Sequence, residues 1–369
     1  MAPTAYLDWN ATAPTRPEAA AAVAEALALG GNPSSVHRAG RAARQRLEQA
    51  RAEVAALVGA GPAAIVFTSG GTEANHLALA GVAGRRLLVS AIEHDSVREA
   101  VPGAAIIPVA SAGVIDLAAL DAMLAADPRP ALVSLMLANN ETGVIQPVRA
   151  AADIAHRHSA LLHCDAVQAA GKIAVDVGAL GADLLSLSAH KLGGPQGVGA
   201  LFVADSVHVA PVQRGGGQER GRRAGTENLP GIAGFAAAAV AARDLSTDAA
   251  VAALRDDAEA RLLAIAPDAR VFGAEAARLP NTLCIAMPGV AASTQVMALD
   301  LAGVMVSAGA ACSSGKVRPS RVLAAMGASA EESSSAIRIS LGWSTTGDDI
   351  DRLVDAWSAL YRRSRERAA

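Results

Sequence analysis

The chain has 369 residues, of which 52% are hydrophobic and only 2% aromatic, and it carries a formal net charge of −3. That length allows two domains and a large core, the mildly acidic balance excludes a dedicated nucleic-acid binder, and no apolar run approaches the roughly 18 residues of a membrane span. The amino terminus has no basic stretch leading into an apolar one, so the expected compartment is the cytoplasm.

Residues 5–15 read as a short strand and a turn, after which Pro17 opens an Ala-rich helix. The polar run Gly31-Asn32-Pro33-Ser34-Ser35-Val36-His37 caps a long helix over 38–58, in which Leu47, Ala50, Val54 and Leu57 recur at helical spacing. Apolar strands are then expected at 64–67, 86–90, 105–109, 131–137, 160–163 and 183–189, separated by helical segments. This alternation is the pattern of an α/β fold with a mostly parallel sheet covered on both faces. A helix over 232–244 and the polar break Leu245-Ser246-Thr247-Asp248 mark a domain boundary. Beyond it, strands at 269–272, 282–287, 304–307 and 336–341 alternate with helices in a smaller α+β unit.

Chemistry is concentrated where the strands of the first unit end. Phe67-Thr68-Ser69-Gly70-Gly71-Thr72 follows a strand and opens a helix, which makes Gly71 and Thr72 an anion site built from orphan amides and the helix dipole. His94 stands at the mouth of the next strand-to-helix loop, and Asn140 follows the strand at 131–137. Asp165 ends a strand 26 residues before Lys191, which itself follows Asp183–Ala189 and enters the Gly-rich turn at 193–197. Period-2 geometry puts Ser188 and His190 on one face just before that amine. In open α/β sheets the carboxyl ends of the strands form the ligand crevice, so Thr72, His94, Asn140, Asp165 and Lys191 are expected to converge there. A lysine able to form a Schiff base and an aspartate able to pair with a pyridinium nitrogen are the minimal apparatus for pyridoxal phosphate.

Three cysteines are too few and too scattered for a disulfide framework or a zinc cluster. Cys164 and Cys284 sit in strand-like runs and read as small hydrophobes. Cys312 is flanked by small residues in Ser307-Ala308-Gly309-Ala310-Ala311-Cys312-Ser313-Ser314-Gly315, the composition of a mobile loop, and Lys316 and Arg318 add charge that favours the thiolate. Arg338 lies within an apolar strand. It needs an anion, supplied by a substrate carboxylate or by a structural ion pair with Asp or Glu.

Taken together, these motifs resemble the cysteine desulfurases of the NifS/IscS type, group I, within the class-V aminotransferases of fold type I. The resemblance runs over nearly the full length: Tyr6-Leu7-Asp8 with Asn10, Asn32 to Ser35, Thr68 to Glu73, Glu93-His94, Asn139 to Gly143, Asp165 with Gln168, Ser188 to Lys191, Gly215 to Thr226, the Cys312 loop and Arg338. It implies a large cofactor-binding domain over 12–247 with a seven-stranded-type sheet. It also implies a small domain formed by 1–11 and 248–369 that carries the cysteine loop at about 308–320. Under it, Lys191 forms the internal aldimine with pyridoxal phosphate, Asp165 pairs with the ring nitrogen, Gln168 contacts the ring oxygen and His94 stacks on the ring. Gly71, Thr72, Ser188, His190 and, from the partner subunit of a homodimer, Thr226 hold the phosphate. Asn10, Asn140 and Arg338 orient the substrate L-cysteine.

The implied reaction yields L-alanine and a persulfide on Cys312. A sulfur-acceptor protein, an iron–sulfur scaffold or a thiolation enzyme, then takes the sulfur, with no nucleic acid or membrane contacted directly. No resident metal is implied, and Cys312 is the one candidate for a transient iron–sulfur ligand. Relatives commonly continue past the last helix with a scaffold-docking tail, whereas this sequence stops after the basic run Arg362-Arg363-Ser364-Arg365-Glu366-Arg367. An aminotransferase or lyase acting on another amino acid is the alternative; it has no need of Cys312. A non-catalytic sulfur-relay subunit has no need of Lys191 or Asp165, and both are present.

Overall fold

The computed structural model describes residues 4–308 and 320–368. In chain order the strands are β1 (Ala5–Tyr6), β2 (Ile65–Thr68), β3 (Arg86–Ser90), β4 (Ala105–Ile107), β5 (Ala131–Met136), β6 (Leu161–Asp165), β7 (Leu184–Ser188) and β8 (Gly199–Val203). They are followed by β9 (Arg270–Val271), β10 (Thr282–Ala286), β11 (Val304–Met305), β12 (Ser307–Ala308) and β13 (Ala336–Ser340).

The larger sheet has the order β2-β8-β7-β6-β5-β3-β4. Strands β7, β6, β5, β3 and β4 pair in parallel, while β8 is antiparallel to both β7 and β2. Two antiparallel steps restore the direction, so β2 runs with the parallel group. The carboxyl ends of β2, β3, β5, β6 and β7 therefore share one edge. Every residue of β5, β7 and β8 is buried, as expected where helices cover both faces and strands read as continuous apolar runs. Strand β8 is the element the sequence reading omitted. Its run Gly199-Ala200-Leu201-Phe202-Val203 follows Lys191 too closely for a helical crossover, and a short connection forces the antiparallel return.

The second sheet, β12-β13-β10-β9, is antiparallel throughout. The helices Asp248–Ile265 and Gly347–Ala368 pack over it around the fully buried Trp357, whose ring stacks on Tyr361 at 5.8 Å. The run expected as one strand over 304–307 divides between two sheets: β11 pairs with β1, and β12 pairs with β13. The amino-terminal segment thus crosses to the second sheet, and Asp8 bridges Ser340. A short helix, Ala330–Ser335, opened by a Ser329–Glu332 capping box, was also not foreseen.

Two buried polar features brace the larger sheet. On one face, His163 of β6 lies between Ser134 of β5 (2.8 Å) and Ser186 of β7 (2.9 Å), which occupies both ring nitrogens. Burial lowers the pKa of this imidazole to about 4. At the other feature, Arg51 forms a two-pronged ion pair with Glu219 (2.6 and 2.9 Å), and Glu219 also accepts the Phe67 N–H at 2.9 Å. This pair fastens the Gly-rich segment 214–226 to β2, although Glu219 and Arg220 must adopt left-handed backbone angles (φ 46° and 57°) to reach it.

Each feature yields an expected outcome. The folded pKa of His163 lies below the unfolded value near 6.5, so its contribution is complete above that value and is lost as pH falls toward about 4. Between pH 7 and pH 5, denaturant titrations should show the native protein losing about 2 kcal/mol more than a His163→Asn variant. Replacement of Arg51 by Met should cost about 3–5 kcal/mol in the same assay, because it strands the Glu219 carboxylate. Adding Glu219→Gln should recover part of that loss.

Candidate active site

A cavity of about 330 Å³ opens at the shared strand edge. Of the residues singled out from sequence, Asn10, Gly71, Thr72, His94, Asn140, Asp165, Gln168, Ser188, His190, Lys191 and Arg338 all line it. Thr226 does not. It borders a separate cavity of about 80 Å³ with Ser69, Asn228 and Arg223. Cys312, Lys316 and Arg318 lie outside the described residues.

The helix Gly71–Gly81 begins at Gly70, whose φ of 154° with ψ of 179° is a region open essentially to glycine alone. That conformation turns the chain from β2 directly into the helix, whose first residues, Gly71 and Thr72, line the cavity. A Cβ on Gly71 would lie 2.9 Å from Val167 Cγ2, so the helix start is packed tightly against the turn after β6. One helical turn on, Asn75 donates to Asp165 Oδ2 at 2.8 Å and to Ser96 Oγ at 2.9 Å. Asp165 Oδ1 accepts the Val167 N–H at 2.9 Å. The carboxylate is therefore held in one orientation at the cavity wall.

His94 caps the short helix Asp95–Arg98, and its Nδ1 accepts the Ser96 N–H at 3.1 Å. With Nδ1 acting as acceptor, the neutral ring carries its proton on Nε2. Behind it, Glu93 is buried and accepts the Met136 N–H at 2.7 Å. Burial pushes this carboxyl well above the usual carboxylate range. Asn75, Ser96 and Glu93 were not foreseen as site residues. The spacing Thr72-x-x-Asn75 on a helix and His94-x-Ser96 at a cap were the signals that could have found the first two.

Lys191 lies in a single 3-10 turn, Ala189–Lys191, and not in an extension of β7. The period-2 argument for Ser188 and His190 therefore fails, because the strand ends at Ser188. The turn still brings both to the cavity wall. Lys191 Nζ donates to the carbonyls of Asn10 and Ala11 at 2.7 and 2.8 Å. His190 Nδ1 is 3.2 Å from Thr12 Oγ1, and burial, then Lys191 and Lys172, lower its pKa to about 4.

Asn10 is buried, and its side chain is committed within the protein. Oδ1 accepts from Lys172 (2.9 Å) and Asn281 (3.1 Å), while Nδ2 donates to Thr282 (2.9 Å) and to the Asn140 carbonyl (3.2 Å). Gln168 donates from Nε2 to the Asn10 carbonyl at 2.9 Å; an amide nitrogen carries two protons, so one more is available to the cavity. Arg338 is paired with Asp8 at 2.8 Å and donates to the Asn140 carbonyl at 3.1 Å, while its buried Nε has no partner among the described residues. The structural ion pair considered from sequence is thus present, on a guanidinium that also borders the cavity.

The described residues on either side of the segment carrying Cys312 contact a cavity-lining residue or the neighbour of one. Ser307 lies opposite Arg338 in the β12–β13 ladder, and Ser320 donates to the buried Glu141 Oε2 at 2.6 Å. Cys164 and Cys284 are buried, and burial raises both thiols, as inert structural cysteines require. Among the described residues no cluster of three metal-ligating side chains occurs, and no helix is long and apolar enough to cross a membrane.

One wall thus offers a helix amino terminus for an anion, another a fixed carboxylate, and the floor an amine. The donor set fits a planar pyridine aldehyde bearing a phosphate. The class-V aminotransferase family profile matches residues 5–353. A cysteine desulfurase of Cereibacter sphaeroides is 47% identical over 366 residues, covering 95% of this chain and 94% of the relative. The cysteine desulfurase IscS of Dictyoglomus turgidum is 39% identical over 98% of this chain and 95% of its own. Among solved structures, a NifS-like protein of Rickettsia africae superposes with a TM-score of 0.92 at 35% identity, covering 98% of this chain and all of the other. The chain belongs to the class-V aminotransferase family.

Proposed function

We propose that the protein is a cysteine desulfurase that converts L-cysteine to L-alanine and passes the sulfur to Cys312 as a persulfide. The observation that carries this reading is the meeting of Lys191, Asp165 and the helix start at Gly71-Thr72 in one cavity. Residues 12–247 form the cofactor-binding domain, and residues 1–11 with 248–369 the small one.

Pyridoxal phosphate, when bound, supplies the electron sink that makes the substrate Cα proton removable. Asp165 holds the ring nitrogen, its carboxylate already fixed by Asn75 and Val167. Gly71, Thr72, Ser188 and His190 bind the phosphate; a neutral His190 still offers an N–H to it. Gln168 turns its remaining N–H toward the ring oxygen, and His94 covers the ring face with its proton on Nε2. Arg338 and Asn140, with Asn10 behind them, orient the substrate carboxylate. Lys191 takes the Cα proton. The Cys312 thiolate attacks the substrate sulfur, the carbon–sulfur bond breaks, and the carbon skeleton leaves as alanine. The persulfide then passes to an acceptor protein for iron–sulfur assembly or thiolation. The working unit is a cytoplasmic homodimer in which Thr226 serves the partner's phosphate site, in keeping with its position away from its own chain's cavity.

In the Cys312→Ser variant, sulfide release from L-cysteine should fall by about 100-fold or more while the visible cofactor band is kept. In Lys191→Ala the band should wash out on dialysis. Desulfuration that survives loss of Cys312 would refute the persulfide step, and a band without sulfide in the native protein would point to an aminotransferase or lyase. The dimer reading is tested by mixing Lys191→Ala with Thr226→Val chains. Random pairing should restore activity to about a quarter of native, because one site in each mixed dimer is intact.

A further inference from the structure

Lys172 is a second amine beside Lys191, and the mechanism above does not use it. It follows Gln168 by one turn in the compact segment after β6, where Lys172 N–H bonds to the Ala169 carbonyl. The turn is possible because Gly171 takes φ 78°, and a Cβ there would press on Leu192 and Ala242 at 3.1 and 3.0 Å. Lys172 Nζ donates to Gln168 Oε1 at 2.7 Å and to Asn10 Oδ1 at 2.9 Å. Both acceptors are neutral amide oxygens, and among the described residues no carboxylate is within ion-pair distance of it. Burial, and then the Lys191 and Arg338 charges, pull its pKa well below the ordinary lysine range.

The two amines bracket one residue. Lys172 holds the side-chain oxygen of Asn10, and Lys191 rests on its backbone oxygen at 2.7 Å. Lys172 does not line the main cavity. With Lys191 it borders a small cavity of about 30 Å³ on the far side, next to Asn281, Asp244 and Asp248. It therefore acts on the site through its neighbours.

We propose that Lys172 is a positioning residue that keeps the Lys191 amine ready to give up its proton. Two effects of the same sign produce this. By holding Gln168 Oε1, Lys172 forces the Gln168 amide to present Nε2 to the Asn10 carbonyl, where it competes with Lys191 for the acceptor. Without Lys172 the amide is free to turn, and its oxygen would stabilise a charged Lys191. Any positive charge on Lys172 also disfavours a second one on Lys191. Among the described residues, the other charged or titratable groups around the pair are Arg338 with Asp8, Asp165, His94 and His190 on the main-cavity side. On the far side are Arg16 and the Asp244–Asp248 pair, in which burial, then Asp244, brings Asp248 to about 6. A comparison of variants at matched pH cancels their contribution.

The proposal rests on Lys191 being the reacting amine, so the test reads that amine both with and without the cofactor. The full chain freed of cofactor is labelled with trace acetic anhydride from about pH 6 to pH 10, and acetylation of Lys191 is followed by mass spectrometry. In Lys172→Met and in Lys172→Gln the pH of half-labelling should rise, equivalent to about a tenfold higher proton affinity at Lys191. Thermal midpoints identify any variant that has not folded, and either variant suffices. The rate at which the same cofactor-free proteins capture pyridoxal phosphate should fall in parallel at neutral pH. An unchanged or lowered half-labelling pH in a folded variant overturns the proposal. Failure of the native protein to capture pyridoxal phosphate at all would instead overturn the cofactor reading, and the labelling curve would still decide on Lys172.

Discussion

The architecture depends on the hydrogen bonds of one buried residue, Asn10. Its backbone N–H donates to Ser340 Oγ at 3.0 Å, its carbonyl accepts from Lys191 and Gln168, and its side chain joins Lys172, Asn281, Thr282 and Asn140. Those partners come from the turn after β6, the turn after β7, the loop after β5 and two strands of the other sheet. An unmet amide at this depth would cost about 1–3 kcal/mol, so the network specifies a single docking of the sheets. The amino-terminal strand is short because its task is delivery: it pairs with β11 for two residues and then places Asp8 and Asn10 between the sheets.

Charge in the cavity is arranged by distance. Lys191 and Arg338 line the cavity beside Asn10, with Lys172 behind Asn10 and Asp8 paired with Arg338, while Asp165 lines the cavity held by Asn75. Burial shifts the neighbouring groups toward their neutral forms: it raises the Glu93 carboxyl well above its usual range and lowers His163 and His190 to about 4. His163 precedes Asp165 by two residues on β6, and its bonds to Ser134 and Ser186 tie β5, β6 and β7 together next to the carboxylate.

Much of this was legible in the residues. Apolar runs over 131–137, 160–163 and 183–189 identified buried parallel strands, and strand polarity placed Thr72, His94, Asn140, Asp165 and Lys191 at one edge. What periodicity missed was connectivity over short spans. The 3-10 turn at Ala189–Lys191, the return strand β8 and the division of residues 304–308 between two sheets depend on hydrogen-bond partners distant in sequence.

Sequence by itself determined the chemistry available: an amine, a carboxylate, a helix-capping anion site and a cysteine among small residues, in an order that resembles one enzyme family. Tertiary structure alone decided which polar side chains are committed to the frame. Asn10 and Gln168 read as ligand contacts, yet most of their capacity is spent on each other, on Lys172 and on the second sheet. Arg338 read either as a substrate anchor or as half of a structural ion pair, and the fold supplies the pair's partner, Asp8. The physical reason is that a buried polar atom must be satisfied wherever the chain's packing leaves it. Its partners lie as far as 330 residues away, at a separation no local pattern encodes.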